Sequence, residues 1–132
     1  MIDSAFKSRK SNRAAVDFFR ETNLRGNGAV AIMRRALQDE DAEVRMGAAN
    51  TLQRLCPEST IAVPDLVNRV RDPDSRVRYG VILALEAMGS EAKAAVPSLI
   101  AAVRDGERLV SVTARRALKK IDPDAAAKAG VQ

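Results

Sequence analysis

Acidic side chains concentrate in one short run, Asp-Glu-Asp-Ala-Glu at residues 39–43. Carboxylate oxygens are the ligands that Ca²⁺ and Mg²⁺ prefer, so the run could suggest a cation site. It also stands where a helix is expected to begin, and carboxylates there cap free N–H groups and complement the helix dipole. Because similar acidic turns recur at 72–74 and 105–107, we expect a structural role and no metal.

The side chains that most often carry out catalysis near neutral pH are scarce. The chain has no His, and therefore no imidazole to move a proton or to bind a transition metal. Its single cysteine, Cys56, cannot form an internal disulfide, and no activating base can be assigned to its thiol. We expect no catalytic residue and no cofactor, and we predict a non-enzymatic protein. The lone cysteine fits a reducing compartment, so a cytoplasmic location is expected.

The net charge of +5 is concentrated at the two ends of the chain. Residues 62–94 hold five basic and five acidic residues, whereas Arg115, Arg116, Lys119 and Lys120 form a basic group near the C-terminal end. The neutral middle interrupts the continuous basic stripe that is typical of a nucleic-acid binder. Nucleic-acid binding through the basic termini therefore stays as an alternative. No apolar run approaches the roughly 18 residues that span a membrane, so no membrane partner is expected.

The sequence repeats itself in three units of equal length. Residues 29–61, 62–94 and 95–127 align without gaps, and similar residues recur in seven columns. Those columns are Val30, Val63, Val96; Met33, Leu66, Leu99; Leu37, Val70, Val103; Asp39, Asp72, Asp105; Val44, Val77, Val110; Leu52, Leu85, Leu118; and Leu55, Met88, Ile121. A fixed period of this length is typical of solenoids, in which stacked units bury each other's apolar faces.

Each unit is expected to form two helices. In the second unit, residues 63–70 place Val and Leu at i, i+3, i+4 and i+7, which is one face of a helix. Asp72 is expected to cap the next helix, with Pro73 at its first position. Gly89 is expected to end that helix.

The units resemble HEAT repeats, especially the short bacterial type related to phycobilin-lyase repeats. That pattern has Pro early in the first helix, Asp at the turn, and Val-Arg entering the second helix. In the second unit these are Pro64, Asp72, Val77 and Arg78. The first unit has Ala31 in place of Pro, and the third has Ser111 in place of Arg.

The resemblance implies an all-α fold, a right-handed α-solenoid of three 33-residue HEAT-type helix pairs with a capping N-terminal helix. It also implies a ladder of Asp and Arg side chains between neighbouring units, which the pairs Asp39/Arg45 and Asp72/Arg78 fit. A role like that of the phycobilin lyases is a further alternative, although no residue set to hold a tetrapyrrole can be identified.

Both ends of the chain are expected to act as caps. Residues 12–21 are predicted to form a helix, because Ala15 and Phe19 lie one repeat period before Ala48 and Leu52. Phe18 and Phe19 would supply its bulk. Residues 1–28 then form a cap helix and loop, with the first ten residues loose or irregular, and residues 128–132 form a C-terminal tail.

The second helices line the concave face in HEAT solenoids, so their non-core columns are the candidate binding site. These columns are Met46, Tyr79, Val112; Asn50, Leu83, Arg116; and Gln53, Glu86, Lys119. Tyr79 is the only Tyr, and with Leu83 beside it the group resembles a protein-binding hot spot. Glu86, between Gln53 and Lys119, predicts a charge gradient that would orient a partner. We expect a protein or peptide partner here; the alternative is that these residues only fill gaps between helices.

Overall fold

The computed structural model describes residues 4–22 and 25–131, and this part of the chain contains helices and no strand. The α-helices are α1 (Ser4–Glu21), α2 (Asn27–Ala36), α3 (Ala42–Arg54), α4 (Val63–Val67), α5 (Ser75–Met88), α6 (Val96–Ala102), α7 (Arg108–Ile121) and α8 (Pro123–Lys128). Two 3₁₀ segments, Glu58–Ala62 and Gly89–Ala95, lead directly into α4 and α6. The all-α class predicted from the sequence is confirmed. Within the described ranges, no helix is both long and apolar enough to cross a membrane.

The helices form two layers. Helix α3 packs against α5, and α5 packs against α7, so the second helices of successive pairs lie side by side. In the other layer, α2 contacts the 3₁₀ segment before α4, and α4 contacts the one before α6. Each pair therefore contacts its neighbours along the chain, which is the arrangement of an α-solenoid.

Aliphatic columns form the core between the layers. Leu52, Leu85 and Leu118 are completely buried in equivalent positions of α3, α5 and α7. In the last pair, Val96 and Val103 are only half-buried, whereas their equivalents in the earlier pairs are buried. The described chain has no fourth helix pair to cover them, so the core thins toward this end.

Helix α5, the second helix of the middle pair, begins two residues later than the sequence suggested. Asp74, not Asp72, is the N-cap of α5, and its carboxylate accepts the N–H of Arg76 at 2.8 Å. Asp72 instead accepts the N–H of Asp74 at 2.9 Å and shapes the turn before the helix. The prediction for Asp72 was wrong because either carboxylate of Asp-Pro-Asp can accept an N–H. The prediction for Gly89 is confirmed, since α5 ends there at a φ of 61°, which favours glycine.

The N-terminal helix α1 is longer than predicted. It begins at Ser4, so residues 4–10, expected to be irregular, are helical, while residues 1–3 lie outside the described part. Val16 is buried and Phe19 packs against the core, but Phe18 is exposed, contrary to the prediction that both rings supply bulk. At the other end, α8 packs against α7, so the predicted boundary at residue 127 falls inside a helix.

Helix α1 packs closely against α3 at Gly47. A Cβ atom at this position would overlap Cγ1 of Val16 and would lie 2.7 Å from Nη2 of Arg20. Val16 is buried and β-branched, so its methyl group cannot easily move away. At Gly80, the equivalent residue of α5, a Cβ would meet the exposed Asn50 side chain at 3.2 Å. Contact with α1 therefore requires glycine at 47, and no such requirement exists at 80.

We expect Gly47→Ala to lower the free energy of unfolding by about 1 kcal/mol, because overpacking typically costs about 1–3 kcal/mol and alanine regains up to about 1 kcal/mol of helix propensity. Gly80→Ala is the matched control and should be neutral or stabilising by up to about 1 kcal/mol. Urea denaturation of both variants measures the difference. Equal stabilities would contradict the close packing of α1 on α3.

Candidate functional site

Two Arg–Asp pairs connect successive helix pairs at the turns that precede the second helices. Arg45 of α3 donates from Nε and Nη2 to the two carboxylate oxygens of Asp72, at 2.8 and 3.0 Å. Arg78 of α5 binds Asp105 in the same way, at 2.8 and 3.1 Å. The first pair is buried, with side chains 10% and 0% exposed. Bidentate geometry makes these among the stronger hydrogen bonds a protein can form.

Each Arg also binds the turn of its own pair. Nη1 of Arg45 donates to the backbone oxygen of Asp39 at 2.8 Å, and Nη1 of Arg78 donates to that of Asp72 at 2.9 Å. In the pairs Asp39/Arg45 and Asp72/Arg78, which are six residues apart, the Arg side chain therefore binds the backbone oxygen of the Asp and not its carboxylate. The carboxylate partner lies 27 residues ahead in the next pair. The predicted ladder between neighbouring units is confirmed, and each Arg pairs with the carboxylate of the next unit rather than with the Asp six residues before it.

The ladder starts at Asn12 of α1, which the sequence analysis missed. Asn12 is buried, and its Nδ2 donates to Oδ2 of Asp39 at 3.3 Å while its Oδ1 accepts from Arg35 at 3.1 Å. Asn12 lies one repeat period before Arg45, so α1 occupies the place of a second helix. The sequence signal that could have revealed it is that Asn12, a polar residue, occupies the position equivalent to Arg45 and Arg78. In α7 the same column holds Ser111, whose hydroxyl bonds within its own helix.

These contacts shift the pKa values of Asp105 and Arg45. Burial raises the pKa of the Asp105 carboxyl, but the hydrogen bonds from Arg78 and the Glu107 N–H outweigh it, and the pKa lies below its ordinary value. The hydrogen bond to Asp72 raises the pKa of Arg45. A carboxyl pKa that is lower in the folded than in the unfolded protein stabilises the fold at pH values above the unfolded-state pKa, which is near 4. The stabilisation from Asp105 is therefore present at neutral pH and is lost as the pH falls through its folded-state pKa.

The layer of second helices contains a recess of about 310 Å³ that opens at the surface. Its volume is at the lower end of the range typical of ligand-binding clefts. Helices α3, α5 and α7 all contribute side chains to it. The lining residues are Met46, Asn50, Ser75, Arg76, Tyr79, Glu107, Leu109 and Val110.

Comparison with known families agrees with this architecture. A family described as HEAT repeats matches residues 63–129, just over half of the chain, and a second, described as HEAT repeat, matches residues 30–59. The chain belongs to the HEAT-repeat family. The finer resemblance to phycobilin-lyase repeats is not shown by these matches. No curated protein matches the chain.

Three of the nine predicted site residues of this HEAT-repeat protein line the recess: Met46, Asn50 and Tyr79. Val112 lies outside the lining but is exposed, one turn after Leu109. The remaining five are outside the lining, and two of them pair with each other. These five are Gln53, Leu83, Glu86, Arg116 and Lys119.

The predicted charge gradient must be corrected, because Glu86 is not a free charge. Its Oε2 accepts a hydrogen bond from Nε of Arg116 at 2.6 Å. This bond also raises the pKa of Arg116. The pair connects α5 to α7, and Lys119 is left as the charge of its column that has no ion-pair partner in the described part of the chain.

Leu109 is a residue of the recess that sequence reasoning missed. It is 58% exposed although it is a large apolar side chain. The equivalent positions hold Glu43 in α3 and Arg76 in α5. An apolar residue at a position that is charged in the other two units was the sequence signal that could have identified Leu109. An exposed leucine at the mouth of a recess is the kind of feature that marks an interaction site.

The acidic run at 39–43 is occupied by protein contacts. Asp41 caps α3 through the Glu43 N–H at 2.9 Å and pairs with Arg13 at 2.7 Å. Glu43 pairs with Arg76 at 2.6 Å. Within the described residues, no group of three or more potential metal ligands occurs. These carboxylates hold α1, α3 and α5 together.

Proposed function

We propose that this HEAT-repeat protein is a non-catalytic interaction scaffold that binds a protein or peptide in the second-helix groove, defined as the recess together with Val112, Arg116 and Lys119. The observation that carries the proposal is the group formed by Met46, Tyr79 and Leu109 around a recess of about 310 Å³. HEAT solenoids commonly present extended surfaces of this kind to macromolecular partners.

Tyr79 has the properties of an anchor for such a partner. Its ring is half-buried against the core, and its hydroxyl forms no hydrogen bond within the described residues. A tyrosine with an apolar ring and an unused hydroxyl can contribute both contact area and a directional bond to an interface.

The non-catalytic part of the proposal rests on how the polar groups are used. The chain lacks His, and the carboxylates of Asp72, Asp105 and Glu86 are engaged by arginines. The recess itself is lined mainly by apolar and uncharged side chains. The cytoplasmic location remains a prediction based on the single cysteine.

Leu109→Ala should weaken partner binding by at least about fivefold, or about 1 kcal/mol, because it removes an apolar contact at the mouth of the recess. It should leave the melting temperature nearly unchanged, since Leu109 is 58% exposed. This variant separates binding from stability better than Tyr79→Ala, which also removes a ring that packs against the core.

Ile61→Ala is the matched control, because Ile61 is 63% exposed and does not line the recess. Proteins captured from the source cell on immobilised wild type, Leu109→Ala and Ile61→Ala are compared by quantitative mass spectrometry, and affinities of recovered partners are then measured. Partners that bind Leu109→Ala as tightly as wild type would contradict binding in the groove.

A further inference from the structure

Given the proposed function, on which this inference rests, we propose that the second-helix groove takes an acidic peptide segment. One large apolar side chain of the segment enters the recess beside Tyr79 and Leu109. Carboxylates of the segment contact Lys119, about 15 Å from Leu109 along the axis of α7. The spacing follows from the rise of about 1.5 Å per residue in α7, over the ten residues between Leu109 and Lys119.

Helix α7 carries an excess of positive charge. Its fourteen residues include five basic side chains and no acidic one, and all five are exposed. Of these five, only Arg116 has an ion-pair partner within the described part of the chain. The five are Arg108, Arg115, Arg116, Lys119 and Lys120.

The other second helices do not share this excess, because their arginines are already engaged. Arg76 and Arg78 of α5 bind carboxylates at 2.6–3.1 Å. Arg45 of α3 binds Asp72, and Arg54 donates to the backbone oxygens of Phe19 and Arg20. Arg54 keeps its charge, because it binds backbone oxygens only, but it is not one of the groove residues. Among the groove cations, Arg76 and Arg116 have carboxylate partners, and Lys119 of α7 has none within the described residues, so a partner's carboxylates would be attracted there.

Glu107 makes one end of the groove negatively charged and so distinguishes it from the Lys119 end. Its side chain lines the recess and forms no hydrogen bond or ion pair within the described residues. A carboxylate of the partner would be repelled at this end and attracted at the Lys119 end. An extended peptide covers about 15 Å in four to five residues, so the acidic residues should be separated from the apolar anchor by that interval.

The same features disfavour a nucleic acid. Phosphate tracking requires a continuous run of unpaired cations, whereas the groove contains Glu107 and the neutralised pair Glu86–Arg116. The largely apolar recess also cannot stabilise a charged phosphate backbone, whereas an aliphatic or aromatic side chain can pack in it.

The test is a selection of random twelve-residue peptides displayed on phage against the immobilised protein. Selected peptides are synthesised, and their affinities are measured for wild type, Leu109→Ala, Lys119→Glu and Lys93→Glu. Lys93 is exposed, lies outside the recess lining and has no ion pair within the described residues, so Lys93→Glu controls for the change in net charge.

We expect peptides that depend on Leu109 to contain a large apolar residue with acidic residues about four to five positions away. Their affinity should fall about three- to tenfold in Lys119→Glu, as for an exposed charge contact at low salt, and should be unchanged in Lys93→Glu. Leu109-dependent peptides that are neutral or basic would overturn the acidic partner while leaving the groove intact.

Two other results are distinguishable from these. If no selected peptide depends on Leu109, the proposed function fails together with the acidic partner. A single-stranded DNA 20-mer is titrated in parallel. If it binds more tightly than any selected peptide, loses affinity in Lys119→Glu and ignores Leu109→Ala, the α7 cations serve phosphates and the acidic-peptide proposal is wrong.

Discussion

Leu85→Ala is expected to lower the free energy of unfolding by about 2–5 kcal/mol, because it leaves a cavity in the most enclosed part of the core. Leu85 is completely buried in α5, the helix that packs against both α3 and α7. Equilibrium denaturation in urea measures the loss. A change below about 0.5 kcal/mol would be incompatible with the cavity cost expected at this site.

Leu83→Ala is the control on the same helix, because Leu83 is only half-buried two residues away. It should cost clearly less than Leu85→Ala. Leu118→Ala provides a second comparison, since Leu118 is equally buried but α7 has a helix pair on one side only, with α8 on the other. In a solenoid each interface contributes separately to stability, so losing the central contact should be worst.

The layers of the fold were predictable from the sequence because burial repeats with the chain. Leu52, Leu85 and Leu118 recur once in each repeat unit, and the structure buries all three completely. The exact helix starts were not predictable, because the turn contains two carboxylates and only the contact with Arg45 distinguishes their roles. Arg45 engages Asp72 from the neighbouring pair, and Asp74 is left to cap the helix.

The candidate site was predictable only in part, because the repeat identifies equivalent residues but not the contacts between residues of different columns. Columns show which residues are equivalent, and they placed Met46 and Tyr79 on the shared layer. They do not show which side chains from different columns meet. Arg116 reaches Glu86 across 30 residues rather than one full repeat period, and Leu109 reaches the recess from a column that is charged elsewhere. Side-chain length and local charge decided these contacts, and neither follows from the period.

Arg45→Ala should lower the free energy of unfolding by about 3 kcal/mol, because it leaves the completely buried carboxylate of Asp72 without its bidentate partner. Arg78→Ala should cost somewhat less, since its pair with Asp105 is more exposed. Arg116→Ala is the matched control. It breaks an ion pair of similar length whose Arg side chain is 58% exposed, and its cost should stay below about 1 kcal/mol.

The pH dependence of Arg78→Ala separates a charge effect from lost packing. The hydrogen bond from Arg78 helps to hold the pKa of Asp105 below its ordinary value, against the effect of burial. A lowered folded-state pKa stabilises the protein above the unfolded value near 4, and this stabilisation disappears as the pH falls through the folded-state pKa. Denaturation at pH values from neutral to about 3 should therefore show the difference between wild type and Arg78→Ala shrinking toward the acidic end. A difference that stays constant over this range would mean that Arg78 stabilises the turn through packing and backbone contacts, and that its ion pair with Asp105 contributes nothing.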